Sequence, residues 1–390
     1  MQWQEQKRWL KNEMKTTSVE LFAGIGGFRV ACEELGIQTI WANDINDDAA
    51  IVYQDNFKQG TFVKGDIWKL INDVPDHDLL TAGFPCQPFS SAGKKNGLSD
   101  PRGTLFQAII EIIKKCEPKY FVLENVKRLL SMDQGRTFAT IIDKLSTLGY
   151  LIEWRILNAK NFCLAQNRER IIIIGTKYDS YIKTYLINQK DIDIRLLGNK
   201  FDFKTIENWQ DIKNHKKVFP KWGLCANNKF IGHDIIKFFE SGSEIVLKDI
   251  IQKDVDQIFD YTKDTNERIK FSTKVDRFYD GVELIYNQNG GARMGYSIFG
   301  INGLASTLTG STSRHYERYL INNKYRRLTN IEYARLQGFP DNHCQKVSIH
   351  KQYVLYGNAV PPQMVSWAIK KLINDSFINL SQYSYQMRLI

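Results

Sequence analysis

No Cys-x-x-Cys pair and no cysteine–histidine cluster with metal-ligand spacing occurs in this sequence. Its six cysteines (Cys32, Cys86, Cys116, Cys163, Cys225 and Cys344) are scattered, which excludes a zinc module and a disulfide scaffold and reads as free thiols in a reducing compartment. His343-Cys344 is an isolated pair that suits a structural role, so no metal is expected. Long apolar runs are missing too. The longest uniformly aliphatic stretch, Ile171 to Ile174, is far too short to span a bilayer. Met1 to Lys15 is polar apart from Trp3, Trp9, Leu10 and its methionines, and it lacks the apolar core of a signal peptide. The expected location is the cytoplasm, with no membrane partner. Negative charge is in deficit as well: 43 acidic residues face 53 lysines and arginines, a net charge of +10. That excess favours a polyanionic partner, of which nucleic acid is the commonest. There is no internal repeat and no low-complexity segment.

What is present is ordinary for a folded chain: 43% hydrophobic and 25% charged residues over 390 positions. This length can bury a sizeable core, as two domains or as one domain carrying an insertion. From Thr16 onward, strand-like and helix-like pieces alternate as a doubly wound α/β sheet requires. The expected strands are Ser18–Phe22, Thr39–Ala42, Thr61–Val63, Leu79–Leu80, Lys119–Leu123, Tyr150–Leu157 and Ile171–Ile174. The expected helices are Phe28–Leu35, Asp48–Phe57, Leu105–Lys115 and Phe138–Leu148. Beyond Lys177 the texture changes to short apolar runs among Lys, Asn and Asp without βα periodicity, until about Asn323. This predicts a separate domain of irregular or mainly β structure. A last amphipathic helix is expected over Gln363–Ile373.

Phe22-Ala23-Gly24-Ile25-Gly26-Gly27-Phe28 joins the first strand to the first helix. Glycines at such a corner let the backbone approach a ligand and leave a helix N-terminus pointing at it. Arg29 stands where a dinucleotide fingerprint has its third glycine, which speaks against a pyrophosphate and permits a nucleoside without one. Asp44, ending the second strand, could accept both ribose hydroxyls, and Asp66, before Ile67, could accept from an adenine amino group. The plainer alternative for each aspartate is a helix N-cap.

Gly83-Phe84-Pro85-Cys86-Gln87-Pro88-Phe89-Ser90 follows a buried strand, and its glycine and prolines forbid regular structure. Cys86 therefore belongs on a constrained loop at a strand end, where ligands gather in α/β sheets. An isolated cysteine is more often a small buried hydrophobe. Glu124-Asn125-Val126 directly follows the apolar strand ending at Leu123. A carboxyl placed there is desolvated, so its pKa rises and it can share a proton. Gln166-Asn167-Arg168-Glu169-Arg170 precedes another aliphatic strand. In extended chain its two arginines point the same way, where they could lower the pKa of Cys86 and bind a carbonyl oxygen gathering charge. A salt-bridged surface is the plain alternative.

The glycine turn, Pro85-Cys86-Gln87, Glu124-Asn125-Val126, Gln166-x-Arg168-x-Arg170 and Gly357-Asn358-Ala359-Val360-Pro361 occur in one order. In that order the chain resembles the DNA (cytosine-5) methyltransferases of bacterial restriction–modification systems, over residues 16–176 and 326–375. Five motifs in sequence are a specific signal. Arg335-Leu336-Gln337-Gly338-Phe339-Pro340 resembles the family's structural motif near the carboxyl end. The resemblance implies a Rossmann-like, mostly parallel sheet with helices on both faces, binding S-adenosyl-L-methionine and carrying an inserted target-recognition domain. The implied bounds are residues 1–15 for an N-terminal extension, 16–190 with 345–390 for the discontinuous catalytic domain, and 191–344 for the insertion.

By resemblance Cys86 would attack C6 of a flipped-out cytosine, Glu124 would bond N3 and the exocyclic amine, Arg170 would meet O2 and Arg168 would lie near the cysteine. Phe22, Gly24, Gly26, Asp44, Asp66, Ile67, Pro85, Leu105 and Asn358 would hold the cofactor. Gln87, Ser90, Lys94, Arg293 and Thr307 would meet double-stranded DNA. Within this group, Ser90 to Asp100 suits a loop closing over DNA, and Gly290–Tyr296 with Arg293 suits a recognition loop or an ordinary hairpin turn. Thr307-Leu308 matches the family's Thr-Leu element. A cognate restriction endonuclease would be a functional counterpart, and the protein would act as a monomer.

Three rival readings differ in testable ways. An RNA cytosine-5 methyltransferase of the tRNA-acting branch would carry Cys-Phe-Thr, whereas Cys225 is followed by Ala226. A DNA-binding regulator would have lost Cys86, Glu124 or Arg170. A nicotinamide dehydrogenase is opposed by the missing third glycine.

Overall fold

The computed structural model describes residues 16–85, 105–177, 209–234, 245–287, 297–310 and 318–374. The first half of the chain alternates as expected: β1 (Thr17–Leu21), α1 (Gly27–Glu34), β2 (Gln38–Asp44), α2 (Asp47–Asn56), β3 (Thr61–Lys64), α3 (Ile67–Leu70), β4 (Leu79–Gly83), α4 (Leu105–Cys116), β5 (Tyr120–Val126), α5 (Arg136–Thr147), β6 (Tyr150–Asn158) and β7 (Glu169–Lys177). These strands order as β3-β2-β1-β4-β5-β7-β6, and within that set only β7 runs against the rest. The mostly parallel, Rossmann-like core is thus present. Strands β5 and β7 are longer than expected and take Glu124, Asn125 and Arg170 into the sheet itself.

The aliphatic run of β7 explains the layering. Successive strand side chains point to opposite faces. Ile171 and Ile173 enter one core with Ile109, Ile112 and Ile113 of α4 and Phe138, Ile141 and Ile142 of α5. Ile172 and Ile174 enter the other core, on the far face of the sheet. That second face is closed by the end of the chain: Met364, Val365, Ala368, Ile369 and Leu372 pack with Phe28, Ala31 and Cys32 of α1. The chain returns through α7 (Asn330–Leu336) and α8 (Ile349–Asn358) to α9 (Pro362–Asn374), which begins at a proline, a residue well suited to a first helical turn. The end of the chain thus packs on the sheet that its first half builds.

One boundary is corrected. Residues 209–234, assigned above to the insertion, belong to the large sheet. Here β8 (Gln210–Asp211), β9 (Trp222–Ala226) and β10 (Lys229–His233) extend it in the order β6-β9-β10-β8. Burial drives this: Trp222 is wholly buried and its indole Nε1 donates to Glu153 Oε1 of β6 at 2.8 Å. Gly223 lets β9 lie against the Trp154 ring, since a Cβ there would stand 2.0 Å from it.

A second sheet of five strands, β11 (Thr273–Tyr279), β12 (Val282–Asn287), β13 (Ser297–Phe299), β14 (Arg318–Ile321) and β15 (Lys324–Arg326), follows the short helix α6 (Lys263–Lys270). Its apolar face, with Val282, Phe299 and Tyr319, shares one core with Ala49 and Val52 of α2, Leu336 of α7 and Tyr356 of α8. The seam to α7 is a buried bidentate pair, with Arg326 Nη1 and Nη2 donating to the Glu332 carboxylate at 2.8 and 2.7 Å. Glu332 also caps its own helix by accepting from Thr329 N. Among the described residues no helix is long and apolar enough to cross a membrane.

Candidate active site

A cavity of about 440 Å³ opens where β1, β2, β4, β5 and β7 present one edge of the large sheet. Its floor is the glycine turn. Phe22 leaves β1 with φ of +55°, a left-handed conformation that an aromatic residue rarely adopts, and it faces the cavity with Gly24. Asp44 pins this turn, since its Oδ2 accepts from Gly24 N at 2.7 Å and its Oδ1 from Asn46 N at 2.8 Å. The next helix is capped by Asn46 rather than by Asp44, and Asp44 lines the cavity. Arg29 turns away from the site. Its guanidinium lies 4.6 Å from the Phe57 ring and donates to Glu33 and to Gln59 O, so this arginine holds α1 to α2.

Glu124 and Arg170 form the polar wall. Val126 and Arg170 are register partners on β5 and β7, so Glu124, two residues back, is a diagonal neighbour within reach of a long side chain. Arg170 Nε donates to Glu124 Oε1 at 2.9 Å, with both side chains nearly buried. Burial raises the Glu124 carboxyl above the ordinary carboxylate range, while the Arg170 and Arg168 charges pull it only part of the way back. Gly83 lies directly beneath this carboxylate, where a Cβ would stand 3.4 Å from Oε2.

Arg168 is the most deeply engaged residue, with 1% exposure. Its Nη1 donates to Leu308 O at 2.7 Å, and its Nη2 donates to Gly357 O at 3.0 Å and to Ala359 O at 2.9 Å. Nε has no partner among the described residues. Desolvation and the neighbouring Arg170 charge lower its pKa to about 9, which still leaves the guanidinium charged near neutrality. Arg168 thus ties the segment after β13 and the returning chain to the site. Asn358 lies between its two carbonyl partners and faces the cavity. Gly310 makes room for that side chain, because a Cβ there would fall 2.0 Å from Asn358 Oδ1.

Of the residues expected from sequence, the cavity brings together Phe22, Gly24, Asp44, Pro85, Glu124, Arg168, Arg170 and Asn358. Four expected cofactor residues are not in its walls. Gly26 packs against Phe57, where a Cβ would meet the ring at 2.3 Å. Asp66 caps α3 by accepting from Trp68 N, Ile67 is buried in the core behind it, and Leu105 packs on that same core. Thr307 sits beside the site, its hydroxyl donating to Asn167 O at 2.6 Å. Cys86, Gln87, Ser90, Lys94 and Arg293 lie outside the described residues, as do the whole expected closing loop, Ser90 to Asp100, and the expected recognition loop, Gly290 to Tyr296. Cys86 follows the cavity residue Pro85 in sequence.

Two amides carry more of the site than sequence reasoning gave them. Asn125 is 2% exposed, and its Nδ2 donates to Phe84 O at 2.8 Å, which holds the strand end that leads to Pro85. Gln166 accepts from Leu308 N at 3.0 Å and donates to Leu336 O at 3.0 Å, so it bridges the segment after β13 to α7. Gln337 extends this bridge to Tyr356 O. Both Asn125 and Gln166 stand inside quoted motifs, and a polar amide beside a buried strand was the available signal.

A family model described as C-5 cytosine-specific DNA methylase matches residues 16–374. The chain is 34% identical over 365 residues to the Type II methyltransferase M.HaeII of Haemophilus aegyptius, covering 93% of this chain and 94% of that one. It is 33% identical over 367 residues to the Type II methyltransferase M1.ScrFI of Lactococcus lactis subsp. cremoris, covering 92% and 78% respectively. Among solved structures, the S. pombe Dnmt2 methyltransferase shares the fold with a TM-score of 0.63 at 18% identity, over 92% of this chain and 99% of that one. The matched span, the ordered motifs and the site they assemble lead to one conclusion: the chain belongs to the C-5 cytosine-specific DNA methylases.

Proposed function

We propose that this enzyme methylates C5 of a cytosine within one short sequence of double-stranded DNA, as the modification partner of a restriction endonuclease. The carrying observation is the desolvated Glu124–Arg170 pair on the cavity wall beside Pro85, the residue before Cys86. The cavity fits S-adenosyl-L-methionine in size and donor set. The Asp44 carboxylate would take the ribose hydroxyls, Gly24 leaves open space at the turn, and Phe22 and Asn358 would flank the bound group. When bound, its sulfonium supplies an electrophilic methyl group.

The chain's own residues do the rest. The target cytosine must leave the duplex to enter, because C6 is unreachable within the stack. The Cys86 thiolate forms a bond to C6, and the electron pair of the C5–C6 double bond moves into the ring. Glu124, with its raised pKa, holds a proton at N3 as charge collects there, and Arg170 offsets charge at O2. After methylation, loss of the C5 proton and expulsion of the thiolate from C6 restore the aromatic ring and the enzyme. Arg168 positions both walls rather than reacting. The second sheet, with Thr307 beside it and Arg293 in the adjoining segment, would read the DNA sequence.

The test is methyl transfer from tritiated S-adenosyl-L-methionine to unmodified genomic DNA, with bisulfite mapping and Cys86→Ala alongside. Label at cytosine C5 within one motif, absent in the variant, is expected. Label persisting in Cys86→Ala would remove the covalent step, and label on tRNA but not DNA would replace the substrate.

A further inference from the structure

Between Ile212 and His233 the chain carries five lysines and no acidic residue. The first part of this stretch, before β9, lies beside the segment that follows Glu124-Asn125-Val126. Phe219 N donates to Leu130 O at 3.0 Å, and the two backbones touch where a Cβ on Gly135 would fall 2.0 Å from Lys217 O. The topology sets which edge this is. Strand β9 pairs antiparallel to β6 with Trp222 opposite Arg155, and Ile156 N donates to Lys221 O at 2.8 Å. Residues 216–221 therefore enter at the same sheet edge as the carboxyl end of β5 and the start of β7, where the cavity opens.

The result is a cluster of exposed cations that the catalytic site does not use. Arg128, Lys216 and Lys217 are exposed and form no ion pair among the described residues. Of the nearby carboxylates, Glu169 pairs with Lys127 at 2.7 Å and Asp133 with Arg136, while Asp234 accepts from Lys221 N at 3.1 Å. The amino end of α5, starting at Arg136, adds the positive pole of a helix at the same place. Cations gathered in excess of the described carboxylates favour a polyanion, and the run from Val126 in the cavity wall to Lys127 and Arg128 joins this cluster to the active site.

We propose that Arg128, Lys216 and Lys217 form a ridge that binds backbone phosphates of duplex DNA flanking the target site. The proposal rests on DNA being the substrate. It assigns a role to the segment that the fold moved out of the insertion and into the large sheet.

The probes are two duplexes containing the mapped target motif, one barely longer than the motif and one extended on both sides. Binding is measured by fluorescence anisotropy across a salt series. The variant combining Arg128→Gln, Lys216→Gln and Lys217→Gln should bind the extended duplex about tenfold more weakly near physiological salt and lower the slope of log affinity against log salt by about 2–3. Its affinity for the short duplex, its turnover at saturating DNA and its melting temperature should match the wild type. Lys229→Gln, at the opposite sheet edge, should change nothing. Wild-type affinity and slope of the triple variant on the extended duplex would overturn the ridge. Equal losses on both duplexes, an equal loss in Lys229→Gln, or a loss confined to double-stranded RNA would overturn it too. A wild-type enzyme that neither binds nor methylates DNA would instead overturn the substrate reading beneath it.

Discussion

Arg168→Lys isolates what the buried guanidinium does, because it keeps the charge next to Glu124 and removes only the fork. Arg168 now makes three hydrogen bonds, to Leu308 O, Gly357 O and Ala359 O. A lysine ammonium reaching the same depth satisfies one of these carbonyls and leaves two without their charged donor, since arginine and lysine are not interchangeable at forked sites. A hydrogen bond to a charged group contributes about 1.5–3 kcal/mol, so two such losses amount to roughly 3–6 kcal/mol. The damage should be local as well as global. Gly357 and Ala359 flank Asn358, so loosening them should weaken cofactor binding before it changes chemistry. Urea unfolding supplies the stability, and calorimetric titration with S-adenosyl-L-methionine supplies the affinity. A variant within about 0.5 kcal/mol of wild-type stability, with unchanged cofactor affinity but lost turnover, would refute the clamp and return Arg168 to direct contact with the reacting groups.

Three further outcomes follow from the geometry. Glu20 is 1% exposed, and burial raises its pKa from 4.5 to about 8 despite the Tyr53 hydroxyl and the Arg29 charge. The folded chain therefore keeps a proton that the unfolded chain releases, and this carboxyl's contribution, full below pH 4.5, is lost as pH rises through about 8. Glu20→Gln should flatten that decline, by up to about 5 kcal/mol between the two ends, as read from denaturant unfolding at several pH values; parallel curves for the two proteins would contradict it. Gly310→Ala should push Asn358 aside and raise the cofactor KM severalfold with little change in kcat at saturation, and an unchanged KM would show that Asn358 does not line the bound state. Glu124→Gln should lower kcat about 10²–10⁴-fold with cofactor affinity retained, and near-normal turnover at any pH would exclude proton sharing by this residue.

The sequence by itself determined the alternation of β1 to β7, because each apolar strand and each amphipathic helix reports its own period. It also determined that Glu124 and the two arginines stand near strand ends, whereas the return of the chain after Gly357 was implied only by the family resemblance. Local chemistry settles such features: glycine at a left-handed turn, a carboxyl after a buried run, a proline opening the last helix. Tertiary structure alone decided the rest. β9 and β10 read as insertion because β6, the partner of β9, lies some seventy positions earlier in the chain, and only the burial of Trp222 against Glu153 shows the pairing. The same limit applies to Arg168. Nothing near it in sequence shows that its partners are carbonyls from residues 308, 357 and 359, so its motif did not reveal how the residue is held beside the cavity. Asp44 and Asp66 followed successive strands in the same way and parted in space. Asp44 holds the glycine turn at the cavity and Asp66 caps a short helix outside its walls, because the packing of α2 and α3, not the residue type, fixes where each carboxylate points.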